Sequence, residues 1–152
     1  MLNKSKYWIV TDLDGTLMDE SYDISPARKT LKLLSELDIP VIPCTSKTAS
    51  EVRYFRKENG LFDPFIVENG AAVYGWNEDN SKEWELILGD SYKDLRIVLM
   101  KISKIVNYHL SPLNDLNQSQ ISELTGLSEQ GIKRALDRKW SVPFLNPPDE
   151  IF

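Results

Sequence analysis

The residues with the clearest chemical potential are Asp12 and Asp14, two apart in Asp12-Leu13-Asp14-Gly15-Thr16 and directly after the apolar run Trp8-Ile9-Val10. Such a run reads as a buried strand, and Gly15-Thr16 turns the chain out of it. Side chains at i and i+2 of a strand point the same way, so both carboxylates leave its carboxyl end together. That end is where an open parallel α/β sheet binds ligands. Two acids so close repel each other unless a cation or a shared proton relieves them. The pair suits covalent acid–base chemistry, one carboxylate attacking and the other carrying a proton. The plainer alternative is an Asp-rich turn, since Asp-Gly is a frequent turn dipeptide.

A second polar cluster, Thr45-Ser46-Lys47-Thr48, follows the apolar stretch Ile39 to Cys44. Ends of adjacent parallel strands face one crevice. The hydroxyls of Thr45 and Ser46 and the ammonium of Lys47 are therefore expected to converge on Asp12 and Asp14. Hydroxyls and backbone N–H groups at a helix N-terminus form an anion site, and Lys47 adds a point charge for phosphate. A phosphoryl group held there would present phosphorus to Asp12 for in-line attack, giving an aspartyl-phosphate. Asp14 would protonate the leaving oxygen and later activate water. A hard cation such as Mg²⁺, bound by carboxylate and carbonyl oxygens, would neutralise the crowded anions. Without the aspartates, the same loop would be an N-cap with a solvated lysine.

The elements that must position these groups alternate strand and helix. Ser25-Pro26 reads as an N-cap with proline at the first helical position. Ala27, Leu31, Leu34 and Leu37, with Leu33 beside them, make an apolar stripe on a helix of about three turns. Thr48 and Glu51 form a capping-box pattern for a helix ending at Asn59-Gly60. Phe65-Ile66-Val67 is a third strand, Glu68-Asn69-Gly70 a turn, and Ala71 to Tyr74 a short hairpin strand. This order argues for a parallel, doubly wound sheet with right-handed crossovers. Trp76 to Glu83 is polar and reads as a linker, Trp84 to Leu88 as a strand. The segment from Tyr92 to about Tyr108 repeats apolar residues at helical spacing, and shorter helices follow near 118–125 and 128–139. The division expected is a core over 1–83 and a second α/β region over 84–152.

Composition bounds the possibilities. The 152 residues are 41% hydrophobic and 27% charged, the profile of a globular chain rather than a disordered one. Eighteen basic residues against 23 acidic ones give a net charge of −5, which disfavours a broad nucleic-acid surface. The single cysteine, Cys44, excludes an internal disulfide framework and fits a reducing cytosol. No stretch approaches the ~20 apolar residues needed to span a bilayer, so a cytoplasmic protein with no membrane partner is expected.

Asp12-Leu13-Asp14-Gly15-Thr16 resembles the nucleophile motif of the haloacid dehalogenase superfamily, and Thr45 its second motif. Asn69-Gly70-Ala71 is similar to the N-G-A of the subgroup with a large α/β cap. Thr45-Ser46-Lys47-Thr48, Glu68-Asn69-Gly70-Ala71, Leu88-Gly89 with Tyr92, Leu124-Thr125-Gly126-Leu127, and Arg138 with Ser141 and Pro143-Phe144 resemble the mannosyl-3-phosphoglycerate phosphatase family within it. The resemblance implies a Rossmannoid parallel sheet leading into an α/β cap. It implies that Asp12 is nucleophile and Mg²⁺ ligand and Asp14 acid–base, with Asp14 and a backbone carbonyl completing the chain's share of the metal site. It also implies that Thr45 binds the transferring phosphoryl group, with Ser46, Lys47 and Asn69 in the substrate site. The substrate would be a small phosphorylated glycoside. Family members continue further, with a lysine and a G-D…D segment that complete the site, and Val142 stands where an acidic residue is usual. The chain is therefore expected to be a fragment or a truncated, non-catalytic remnant, unless it is active as it stands.

Two other patterns compete. Gly89-Asp90 with Asp94, after Leu86-Ile87-Leu88, imitates the absent metal segment and would make a capless enzyme. That needs a crossover of ~a dozen residues to a parallel strand, and the polar stretch 77–83 is poor helix material. Gln120 to Leu136 imitates a helix-turn-helix with a basic face of Lys133, Arg134, Arg138 and Lys139, which makes DNA binding the second function class. Such a basic run is more often a solvated face of an αα-hairpin. His109 is expected at the surface.

Overall fold

A computed structural model describes residues 6–19, 21–77, 79 and 81–147. The chain divides into two compact units, Met1–Leu88 and Gly89–Phe152.

The first unit is an α/β layer built on three strand ends. β1 (Ile9–Thr11) pairs in parallel with β2 (Val41–Pro43), Ile9 opposite Val41 and Thr11 opposite Pro43. The crossover between them carries a 3-10 turn over Ser25–Ala27 and α1 (Arg28–Glu36). A parallel bridge from Cys44 to Ile66 joins β2 to β3 (Phe65–Val67). The intervening α2 (Ala49–Asn59) opens with the capping box expected from Thr48 and Glu51. Gly60 closes it at φ 65, a left-handed position that glycine adopts without steric cost. β4 (Ala72–Trp76) runs back antiparallel to β3, and β5 (Glu83–Ile87) antiparallel to β4.

The hydrophobic centre lies where α2 covers this hairpin sheet. Phe65 and Tyr74 are buried and stack with ring centroids 5.3 Å apart. The Arg56 guanidinium lies 4.7 Å from the Phe65 ring and 4.4 Å from the Trp76 ring, and donates to the Asp63 carbonyl. Burial lowers its pKa to about 10, with Asp63 and Glu83 opposing the shift, so it stays charged at neutral pH. Arg53 sits over Tyr74 and makes a two-pronged ion pair with Glu83. A charge among aromatics is tolerable here because the ring faces and carboxylates replace part of its hydration.

Several local expectations change. Trp8 and Val10 are 55% and 56% exposed rather than buried, because β1 pairs on one side only, with β2, among the described residues. Ser25 begins the 3-10 turn instead of capping a helix, and α1 starts after Ala27 with no side-chain cap. No residue of α1 is buried; Leu31 and Leu34 are half-covered, while Leu33 and Leu37 face solvent. The stretch read as a linker is a hairpin connection, in which Asn77 and Lys82 exchange hydrogen bonds. Trp84 lies across Gly75 of β4, its Nε1 donating to the Trp76 carbonyl. β5 is antiparallel to its neighbour, so the parallel strand required by the capless arrangement is not formed.

The second unit packs α3 (Tyr92–Ile105), α4 (Gln118–Thr125) and α5 (Glu129–Ala135) around Leu99, Leu110, Ile121 and Ile132. Asp94 pairs with Ser91 at the start of α3, where the Ser91 hydroxyl donates to its carboxylate and accepts from its N–H. Asn117 with Gln120, and Ser128, cap α4 and α5. An antiparallel bridge between Pro112 and Phe144 ties in the segment before residue 148. His109 is exposed.

A Cβ added at Gly75 would collide with the Trp84 indole. Gly75→Ala is therefore expected to lower stability by about 1–3 kcal/mol, the usual cost of overpacking. A lower urea midpoint with unchanged slope checks it, and an unchanged midpoint would show that Trp84 can move aside.

Candidate functional site

Three chain turns meet at the carboxyl ends of β1, β2 and β3. The Cys44 N–H donates to the Thr11 carbonyl at 2.8 Å, which sets Asp12 level with the start of the 45–48 loop. The Thr45 N–H donates to the Ile66 carbonyl, the Asn69 N–H to the Thr45 carbonyl, and the Glu68 N–H to the Lys47 carbonyl. These bonds fix residues 68–69 against residues 45–47. Glu68 and Asn69 take left-handed backbone angles, φ 49 and 62, to make the turn. Asn tolerates that region better than most residues.

Leu13 is fully buried between the exposed Asp12 and Asp14, the i, i+2 arrangement expected of a strand end. Gly15, at φ 70, turns the chain so that the Thr16 and Met18 N–H groups return to the Leu13 carbonyl. An oxygen of Asp12 accepts from the Leu13 N–H. The Asp14 carboxylate lies 2.9 Å from the Lys47 ammonium, which joins the two sequence motifs across the strand ends.

Thr45 is 4% exposed, and its Oγ1 accepts from the Lys47 N–H at 3.2 Å, so its O–H can still donate to a ligand. Ser46 and Asn69 are exposed. The N-terminus of α2 carries the capping box of Thr48 and Glu51. Glu51 accepts from the Thr48 N–H and gives its own N–H to the Thr48 hydroxyl. One of these amides thus serves the Glu51 carboxylate and the other the Thr48 hydroxyl, the two halves of the capping box.

Two participants escaped the sequence reading. Glu51 was legible as a capping residue, but it also lies 3.9 Å from the Lys47 ammonium, a contact its i, i+4 spacing permits. The Tyr22 ring lies under that ammonium, 5.0 Å from Nζ to the ring centre. Nothing in the spacing of Tyr22 signals this.

Asp14 and Glu51 bring two carboxylates to the Lys47 ammonium, and Asp12 stands two residues before Asp14. Carboxylate oxygens of this kind are the donors a hard ion such as Mg²⁺ takes, one or two from the protein with water completing its shell. Among the described residues there is no cluster of three or more acidic, histidine or cysteine side chains able to hold a metal.

The turn entering this region is held by Asp19. Its Oδ1 accepts from the N–H and hydroxyl of Ser21 and from the Asp23 N–H. The Asp23 backbone and the Ser21 hydroxyl hold the Asp19 carboxyl below its ordinary range. Its ionised form is therefore favoured by the fold, and the stabilisation is complete above the unfolded-state value and lost as pH falls through the lowered one. Acidification should loosen the 19–23 turn, read as a shift of the Tyr22 resonances. Asp19→Asn should weaken that acid dependence, and an identical titration in the variant would contradict the role.

Comparison with known proteins places these observations. The family description haloacid dehalogenase-like hydrolase matches residues 9–129. A glucosyl-3-phosphoglycerate/mannosyl-3-phosphoglycerate phosphatase of Methanococcoides burtonii is 36% identical over 95% of this chain and 57% of its own length. A protein of the same name from Persephonella marina is 34% identical over 90% of this chain and 54% of its own. The chain thus spans about half the length of these curated relatives. A Thermoplasma acidophilum structure superposes with a TM-score of 0.62 at 16% identity, covering 95% of this chain and 53% of that one. A haloacid dehalogenase-like hydrolase from B. subtilis gives 0.54 at 17%, covering 84% and 48%. At such identities the likeness is one of fold.

Proposed function

We propose that this chain, which belongs to the haloacid dehalogenase-like hydrolases, carries the nucleophile part of a phosphatase site for a phosphorylated glycoside. The relatives' names supply the substrate class, a glucosyl- or mannosyl-3-phosphoglycerate. The observation that supports the reading most is the Asp14–Lys47 contact, because it brings the acidic pair to the hydroxyl-rich loop at one sheet edge.

In this reading Thr45, Ser46 and Lys47 hold the phosphoryl oxygens and Asn69 lines the substrate side. An Asp12 carboxylate oxygen attacks phosphorus while the bond to the glycerate oxygen breaks. Asp14 gives that oxygen its proton. Asp14 then takes a proton from water, whose oxygen attacks phosphorus, releasing phosphate and restoring Asp12. Asp12 and Asp14 would hold Mg²⁺, which supplies charge neutralisation for the crowded anions. A small polar substrate and a lone, unpaired Cys44 fit a cytoplasmic setting without a nucleic-acid partner. No helix among the described residues is long and apolar enough to cross a membrane.

Phosphate release from glucosyl- and mannosyl-3-phosphoglycerate, with and without Mg²⁺, tests the assignment. Asp12→Asn keeps the side-chain shape but removes the nucleophile, so turnover should fall on the order of 10³-fold or more with the thermal midpoint preserved. Retained turnover would remove Asp12 from that role. Thr45→Val should raise KM more than it lowers kcat, and unchanged kinetics would return Thr45 to a structural role. Absence of any Mg²⁺-dependent release would make a non-catalytic binding module the better reading.

A further inference from the structure

Tyr22 is a bulky residue held at φ 62, in the left-handed backbone region where such side chains are rare. The strain persists because its surroundings over-determine it. The Tyr22 N–H donates to the Asp19 carbonyl, and Asp19 and Asp23 exchange backbone and side-chain hydrogen bonds around it. Strain maintained in this way is often tied to a function. What the turn achieves here is to lay a half-exposed phenol ring against the Lys47 ammonium.

Lys47 is thereby confined from several directions. Asp14 lies at 2.9 Å, Glu51 at 3.9 Å and the Tyr22 ring centre at 5.0 Å, leaving the lysine side chain 15% exposed. A free lysine carries about 2 kcal/mol of rotamer entropy that a ligand would have to suppress on binding. Confinement at folding moves that cost away from the binding step. The ring face matters separately from the carboxylates. It attracts the ammonium without adding negative charge beside an incoming phosphate.

We propose that Tyr22 is a positioning residue for the phosphoryl site, its ring holding the Lys47 ammonium at the place where phosphate and Asp14 meet. The proposal rests on the phosphate-binding reading of the 45–47 loop. Two variants separate it from a merely structural role: Tyr22→Phe keeps the ring face, whereas Tyr22→Leu keeps apolar bulk without it.

Inorganic phosphate in MgCl₂ is the probe, titrated calorimetrically, while NMR follows the ring-current displacement of the Lys47 ε-methylene protons. Tyr22→Leu should weaken phosphate binding about two- to fivefold, the size of an exposed cation–π contact. It should also abolish the ring-current displacement. Tyr22→Phe should restore both, and Tyr22→Leu should add nothing in a Lys47→Met background. Unchanged affinity in Tyr22→Leu would overturn the proposal, as would a loss that persists in full without Lys47. If the wild-type chain binds no phosphate, the functional reading fails. The Lys47 signal then decides the placement by itself: loss in Tyr22→Leu with return in Tyr22→Phe upholds it, and no change overturns it.

Discussion

The hydrogen bond from the Cys44 amide to the Thr11 carbonyl extends the parallel β1–β2 ladder one step past its last paired residues. That step sets the stagger of the two strand ends, and with it the separation of Asp12 from Thr45. The bond from the Thr45 amide to the Ile66 carbonyl repeats the device toward β3. Three segments distant in sequence are thereby locked at one edge by backbone groups alone. Because period-2 geometry flips every side chain on a one-residue slip, a change of register here would turn Asp12 and Asp14 away together.

Electrostatics then divides the edge into roles. Lys47 is drawn to Asp14, Glu51 is tied down by the α2 amide of Thr48, and Tyr22 closes the remaining side with a neutral face. Two carboxylates, of Asp14 and Glu51, thus face the one ammonium of Lys47. Farther back, the stack of Arg56, Phe65, Tyr74 and Trp76 braces α2 against the hairpin. A helix whose first turn carries site groups cannot rock easily when its other end is held this way.

Much of the site could be read from residue order because its signals are local. Two acids on one strand face, a capping box at Thr48 and a glycine stop at Gly60 depend on a few neighbouring residues. Non-local burial was harder to see. Trp8-Ile9-Val10 has the composition of a buried strand, yet burial depends on what covers both faces, which an apolar run does not encode. The polar stretch 77–83 resembles a linker because hairpin connections and linkers share Asn, Asp and Ser. Tyr22 was invisible for a further reason. Its position follows from Asp19 bending the backbone into an unusual region, an effect outside periodicity.

The claim on which the rest turns is that Asp12 accepts a phosphoryl group at this edge. Beryllofluoride, a mimic of an acyl-bound phosphoryl group, tests it through ¹⁹F NMR in the presence of Mg²⁺. Protein-bound fluoride resonances that vanish in Asp12→Asn are expected. Bound resonances of equal intensity in that variant, or none in the wild-type chain, would contradict the assignment.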